Sequence, residues 1–108
     1  MDQQLVNEIE LLYERVCKAL GDPKRVMILY ALAERPMYVS ELAEELHIPQ
    51  PTISRHLKIL SDRCLVMAAR NGTAVYYTVK DERVLQALDL LRAVLRDRIL
   101  EHARVFGE

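Results

Sequence analysis

Two prolines one residue apart, Pro49 and Pro51, separate two short helical patterns, and no single regular element can run through them. Each proline disfavours helix in the residue before it, so a helix starting at Val39 or Ser40 has to stop near His47. Pro51, by contrast, suits the first turn of a new helix. Before the break Leu42, Ala43 and Leu46 share one face, with Ser40 placed as a cap. After it Ile53, Leu57 and Leu60 recur at steps of four and three, and the pattern runs to about Arg63. The opposite face carries Thr52, Ser54, Arg55, Lys58 and Asp62. Residues 39–63 therefore read as a helix-turn-helix whose second helix is polar and basic on its outer side.

The flanking segments complete a small domain. Leu5, Ile9, Leu12, Val16 and Leu20 form a helical stripe over residues 3–20, broken by Gly21. Asp22-Pro23 then supplies an N-cap and a first-turn proline for a helix to about Glu34. Its apolar residues Val26, Ile28, Leu29, Leu32 and Ala33 predict burial on most sides, and Arg35-Pro36 ends it. Beyond Arg63 the period changes from 3.6 to near 2. Leu65 to Arg70 and Ala74 to Val79 read as strands joined by Asn71-Gly72-Thr73, a strong hairpin signal. A last helix over residues 82–106 carries Leu88, Leu91, Leu95 and Ile99, flanked by Val84, Leu85, Val94 and Phe106. The expected fold is mainly α (α+β): one winged helix-turn-helix domain over 1–108, about five helices and a single β-hairpin wing over 65–79. The stripe on the last helix is wider than so small a domain needs, and helix 1–20 offers a second one. Both predict a homodimer through the first and last helices, with closure of the monomer's own core as the alternative.

Charge decides where a partner would sit. The 108-residue chain has a formal net charge of -1, which excludes a histone-like binder relying on overall positive charge. Yet Arg55, Lys58, Arg63, Arg70 and Lys80 against Asp62 alone leave residues 48–80 at +4, while residues 1–47 carry -4. Double-stranded DNA in contact with the second helix of the pair fits this pattern. Arg55 and Lys58 are nearly one turn apart, so one can reach base edges and the other a phosphate. Gln50, Thr52 and Ser54 bring short hydrogen-bonding groups to a helix start that favours phosphate, and Arg70 at the strand end can reach an adjacent minor groove. The rival is a winged-helix protein-interaction module that binds no DNA. No nucleophile–base pair, phosphate loop or apolar carboxylate pair supports an enzyme. The start Met1-Asp2-Gln3-Gln4 lacks the features of a signal peptide, and no apolar run approaches the roughly 20 residues of a membrane span, so a cytoplasmic location is expected.

Several of these residues together resemble a known family. Ala19-Leu20-Gly21-Asp22-Pro23-Lys24-Arg25, Ile28-Leu29, Leu32, Ser40-Glu41-Leu42-Ala43, Gln50 to Leu60 and Leu65-Val66 look like the ArsR/SmtB winged-helix repressors over about residues 16–80. The resemblance implies a homodimer built by the first and last helices. It implies operator DNA bound through residues 50–58, His56 among them, and through the hairpin. It also implies release of that DNA by a small inducer or a change of thiol state.

The inducer is less legible. Family metal sites combine several cysteines near the third helix, or acidic residues with paired histidines on the last. Here Met37-Tyr38-Val39-Ser40 occupies the first place, and His102 stands near Asp97, Glu101 and Glu108 in the second, so neither set is complete; no cofactor or metal site is predicted, and a metal or metalloid as effector stays open. Cys17 and Cys64 are the remaining sensing candidates. Cys64 stands where the family commonly has glycine, in a turn that costs a non-glycine residue on the order of 1 kcal/mol. Either it bends the turn differently or its sulfur is used. Two small buried hydrophobes are the plain alternative, and a family repressor with a non-thiol effector is another.

Overall fold

The computed structural model describes residues 1–106, the last two as backbone only, so the Phe106 side chain and Glu108 lie outside the described residues. Helix α1 (Gln3–Leu12) is capped by Asp2 and continues as a π-helical turn over Tyr13–Cys17 and a 3-10 turn over Ala19–Gly21. Lys18 donates its N–H to the Tyr13 carbonyl at 2.9 Å, five residues back, so the expected single helix over 3–20 changes winding where it meets the core. In α2 (Pro23–Glu34) Asp22 accepts the Lys24 N–H at 2.8 Å and Pro23 opens the first turn. Ile28, Leu29 and Leu32 are buried, but Met27 and Ala33 face solvent, so α2 is covered on one broad side rather than most.

A short strand that the periodicity does not reveal, β1 (Met37–Tyr38), precedes α3 (Val39–Leu46). Ser40 is not the cap. Pairing of β1 holds Tyr38 extended at φ -79°, ψ 160°, so α3 begins at Val39, and Glu41 reaches back to accept the Tyr38 N–H at 2.9 Å. Then come α4 (Gln50–Asp62), β2 (Val66–Asn71), β3 (Ala74–Val79) and α5 (Arg83–Phe106). The sheet is antiparallel in the order β1-β3-β2. Asn71 pairs with Ala74, so the turn is Gly72-Thr73 rather than three residues, and Gly72 takes the positive φ of 66° that a glycine-first turn requires. Among the described residues no helix is long and apolar enough to cross a membrane.

The core lies where α2, α3 and α4 meet the sheet, and its fully buried side chains are Ile28, Leu29, Leu42, Ile53, Leu57 and Leu60. The start of α5 closes it with Leu85 and Leu88, so Leu88 belongs to the monomer's core and not to the interface expected of its stripe. Past that point Leu91, Leu95 and Ile99 are 64%, 60% and 58% exposed, and α1 has no buried residue. The Cα radius of gyration is 16.8 Å, against about 13 Å for a compact chain of this length, because both terminal helices project.

Candidate nucleic-acid interface

Two tight turns aim α4. α3 ends on His47 at φ 56°, and the N–H groups of His47 and Ile48 converge on the Ala43 carbonyl. At the far end Cys64 takes φ 60°, its N–H reaches the Ser61 carbonyl at 3.0 Å, and the Leu65 N–H reaches the Leu60 carbonyl at 2.9 Å. This is the doubly bonded helix stop that normally uses glycine, completed by burial of Leu60 and Leu65 on either side of it. Cys64 thus makes the bend a glycine would make. Between these stops α4 turns Ile53, Leu57 and Leu60 fully inward, which fixes what points out.

Gln50, Ser54, Arg55 and Lys58 are exposed and Thr52 is half-buried. Arg55 has no hydrogen bond or ion pair among the described residues, so its guanidinium fork is available to a partner. Lys58 lies 3.4 Å from Asp62, with the lysine side chain 77% exposed. Such a surface pair contributes roughly 0–1 kcal/mol, little enough to be exchanged for a phosphate. At the wing Arg70 is exposed near the hairpin tip, beside a shallow recess lined by Pro36, Tyr38, Asn71 and Tyr76. Asn71 Nδ2 donates to the Tyr38 hydroxyl at 3.2 Å, and the Tyr38 and Tyr76 rings meet edge-to-face at 6.2 Å. This ties the tip to β1 and stiffens the strand carrying Arg70. Tyr38 was not singled out by the sequence because β1 itself is invisible there, and Asn71 registered only as a turn residue.

His56, which the family resemblance puts among the DNA contacts, is turned inward. It is 7% exposed, and its Nδ1 lies 3.3 Å from Arg25 Nη1. A guanidinium has no acceptor, so the imidazole accepts and is neutral. Burial pushes its pKa below the ordinary 6.5; nearby Arg25, Arg55 and Lys24 act in the same direction, while Asp22 opposes them. His56 is therefore turned into the domain against Arg25, behind the exposed face of α4, rather than presented with Arg55 and Lys58.

Both cysteines are free thiols and exposed, which overturns their reading as small buried hydrophobes. Cys17 ends the π-helical turn and Cys64 ends the turn behind α4. Among the described residues no group of three or more His, Cys, Asp or Glu is placed to hold a metal ion.

Residues 22–66 match the family described as bacterial regulatory protein, arsR family. An uncharacterized HTH-type transcriptional regulator, MJ1325 of Methanocaldococcus jannaschii, is 46% identical over 77 residues, covering 70% of this chain and 86% of that one. The arsenical resistance operon repressor of Bacillus subtilis is 42% identical, covering 67% and 70%. The homodimeric winged helix-turn-helix DNA-binding domain of Mb0332 from Mycobacterium bovis, solved in solution, is 31% identical with a TM-score of 0.75, covering 94% and 93%. The matched region spans about half the length of some mycobacterial relatives.

Proposed function

The chain belongs to the arsR family of regulatory proteins, and from that premise we propose that it is a homodimeric, DNA-binding transcriptional repressor that releases its operator on an inducing signal. One observation carries the reading: α4 buries its leucines completely while leaving Arg55 without a hydrogen bond or ion pair among the described residues and Lys58 in a weak surface pair. A helix so placed can enter a major groove, with Arg55 at base edges, Lys58 on a phosphate, and Gln50, Thr52 and Ser54 at the phosphates beside the helix start. Arg70 would enter the neighbouring minor groove from the wing. Two such helices related by a two-fold axis read a palindrome and double the phosphate contacts, which offsets a net charge of -1. The apolar faces left on α1 and α5 supply the surface for that pairing. The site's chemistry is recognition, with no catalytic step and no bound cofactor.

The inducing signal is proposed to be thiol-based, because Cys17 and Cys64 are both open to solvent and lie on the two parts that must communicate, the terminal helix and the end of α4. Footprinting on DNA upstream of its own gene, with a salt titration, tests the main reading. Affinity should fall linearly on a logarithmic salt scale with a slope near -0.9 per phosphate contacted. A protein-interaction module would hold no duplex at low salt. Cys17→Ser and Cys64→Ser, each measured under reductant, peroxide, polysulfide and arsenite, test the signal; affinity unchanged throughout would remove the thiols from it.

A further inference from the structure

Arg25 makes polar contacts in three directions. Its Nε donates to the Ala19 carbonyl at 2.6 Å and its Nη2 to the Lys18 carbonyl at 3.2 Å, both at the end of the N-terminal helical segment. Its Nη1 donates to His56 Nδ1 at 3.3 Å, on α4, and stands 4.0 Å from the Asp22 carboxylate. One side chain on α2 thus connects the carbonyl end of the first helix to the helix that presents Arg55 and Lys58. The Arg25 side chain is only 14% exposed, so these contacts are poorly replaced by water. His56 follows Arg55 directly and precedes Lys58 by two, so any tilt of α4 about the imidazole moves both cations.

We propose that Arg25 is a positioning residue for DNA recognition, holding α4 at its reading angle through the neutral imidazole of His56 and passing movements of the N-terminal helix to Arg55 and Lys58. The inference rests on the DNA-binding reading above. It accounts for a histidine buried on the inner side of a reading helix, and for an arginine spent on carbonyls rather than on DNA. It also makes the clamp proton-sensitive. An imidazolium would lose its Nδ1 lone pair and confront Arg25, with Lys24 and Arg55 nearby and, among the described residues, Asp22 alone to offset them. The folded protein binds that proton less readily than the unfolded chain does. The clamp's contribution to folding stability is therefore complete above about pH 6.5 and is lost as pH falls from there through the lower folded value, where the imidazole–Arg25 contact itself opens.

The test uses the full chain and a fluorescein-labelled duplex from the DNA immediately upstream of its own coding sequence, followed by anisotropy between pH 5 and 8, with circular dichroism at each point. Arg25→Lys keeps the charge but loses the fork, and should bind about tenfold more weakly at pH 7.5 with an unchanged dichroism spectrum. His56→Gln keeps an acceptor that cannot take up a proton in this range. It should bind within a few-fold of the parent at pH 7.5 and lose much less affinity toward pH 5. Parental affinity in Arg25→Lys, or superimposable pH profiles for the parent and His56→Gln, would overturn the clamp. Where the parent itself binds no duplex, the DNA reading fails separately, and the clamp is judged by amide NMR: Arg25→Lys should shift residues 53–60 and 17–20, and shifts confined to α2 would sink it.

Discussion

The stretch from Asp22 to Leu88 and the two helices that flank it are built on opposite terms. In the first, every fully buried side chain lies between Ile28 and Leu60, and the helix ends are closed by Asp22, Glu41 and the turns at His47 and Cys64. In the second, α1 buries nothing, and from Leu90 to Leu100 α5 holds six large apolar side chains at 56–70% exposure. The helix-turn-helix unit is closed as a monomer, whereas the terminal helices carry an exposed apolar surface that the proposed second copy would cover. Substitutions of similar size should therefore have different consequences in the two regions.

The largest effect is expected inside the closed region. Leu57→Ala removes a side chain with no exposure, and large-to-small changes of this kind cost about 2–5 kcal/mol. Urea unfolding followed by far-ultraviolet dichroism should show the midpoint falling accordingly. The matching change outside is Leu91→Asp with Leu95→Asp. As an interface, this pair should turn the dimer into a folded monomer by light scattering and weaken duplex binding about 100-fold, equivalent to about 2.7 kcal/mol. If the double variant unfolds like Leu57→Ala and never gives a folded monomer, these leucines close the monomer's core and the comparison breaks.

A smaller effect separates the two exposed cations of α4. Arg55→Ala should cost about 1–3 kcal/mol in operator binding and relax preference at one base position, whereas Lys58→Ala should weaken all sequences alike and lower the salt slope by about one. Equal losses on operator and random duplex for both would place Arg55 on phosphate as well.

The same contrast explains what was legible in the sequence. Elements stated by local chemistry were readable: Asp22-Pro23 starts a helix, the Pro49/Pro51 pair splits two, and Ile53, Leu57 and Leu60 name the inner face of α4. Features created by distant partners were not. β1 is two residues long and exists because β3 pairs with it, and that pairing makes Tyr38 rather than Ser40 the N-cap of α3. His56 stands between Arg55 and the inner-face Leu57 in the sequence, and the partner that meets its ring, Arg25, is thirty-one residues away. Leu88 and Leu91 have the same place in the periodic pattern, yet only Leu88 meets the core, because α5 leaves the body of the domain between them. The exposed face of α4 was readable where the helix's own period placed it, and the burial of His56 was not, because a contact from α2 accompanies it.

Cys64, like His47, is an exposed non-glycine residue with left-handed backbone in the closed region, and it tests whether that strain is kept for a purpose. Its left-handed φ of 60° costs a side chain on the order of 1 kcal/mol, and its exposed thiol returns little packing. Cys64→Gly should relieve the strain at the expense of a more flexible unfolded chain, a net gain of a few tenths to about 1 kcal/mol, visible as a rise of a few degrees in Tm. Cys64→Ser keeps the side chain's strain and removes only the thiol, so its Tm should match the parent. Comparing the two separates backbone from sulfur. If peroxide or polysulfide changes duplex affinity in the parent but in neither variant, the thiol is what justifies a non-glycine residue behind the reading helix. If all three respond alike while Cys64→Gly alone is stabilised, the cysteine is a tolerated cost, and the terminal helix with Cys17 becomes the place to seek the signal.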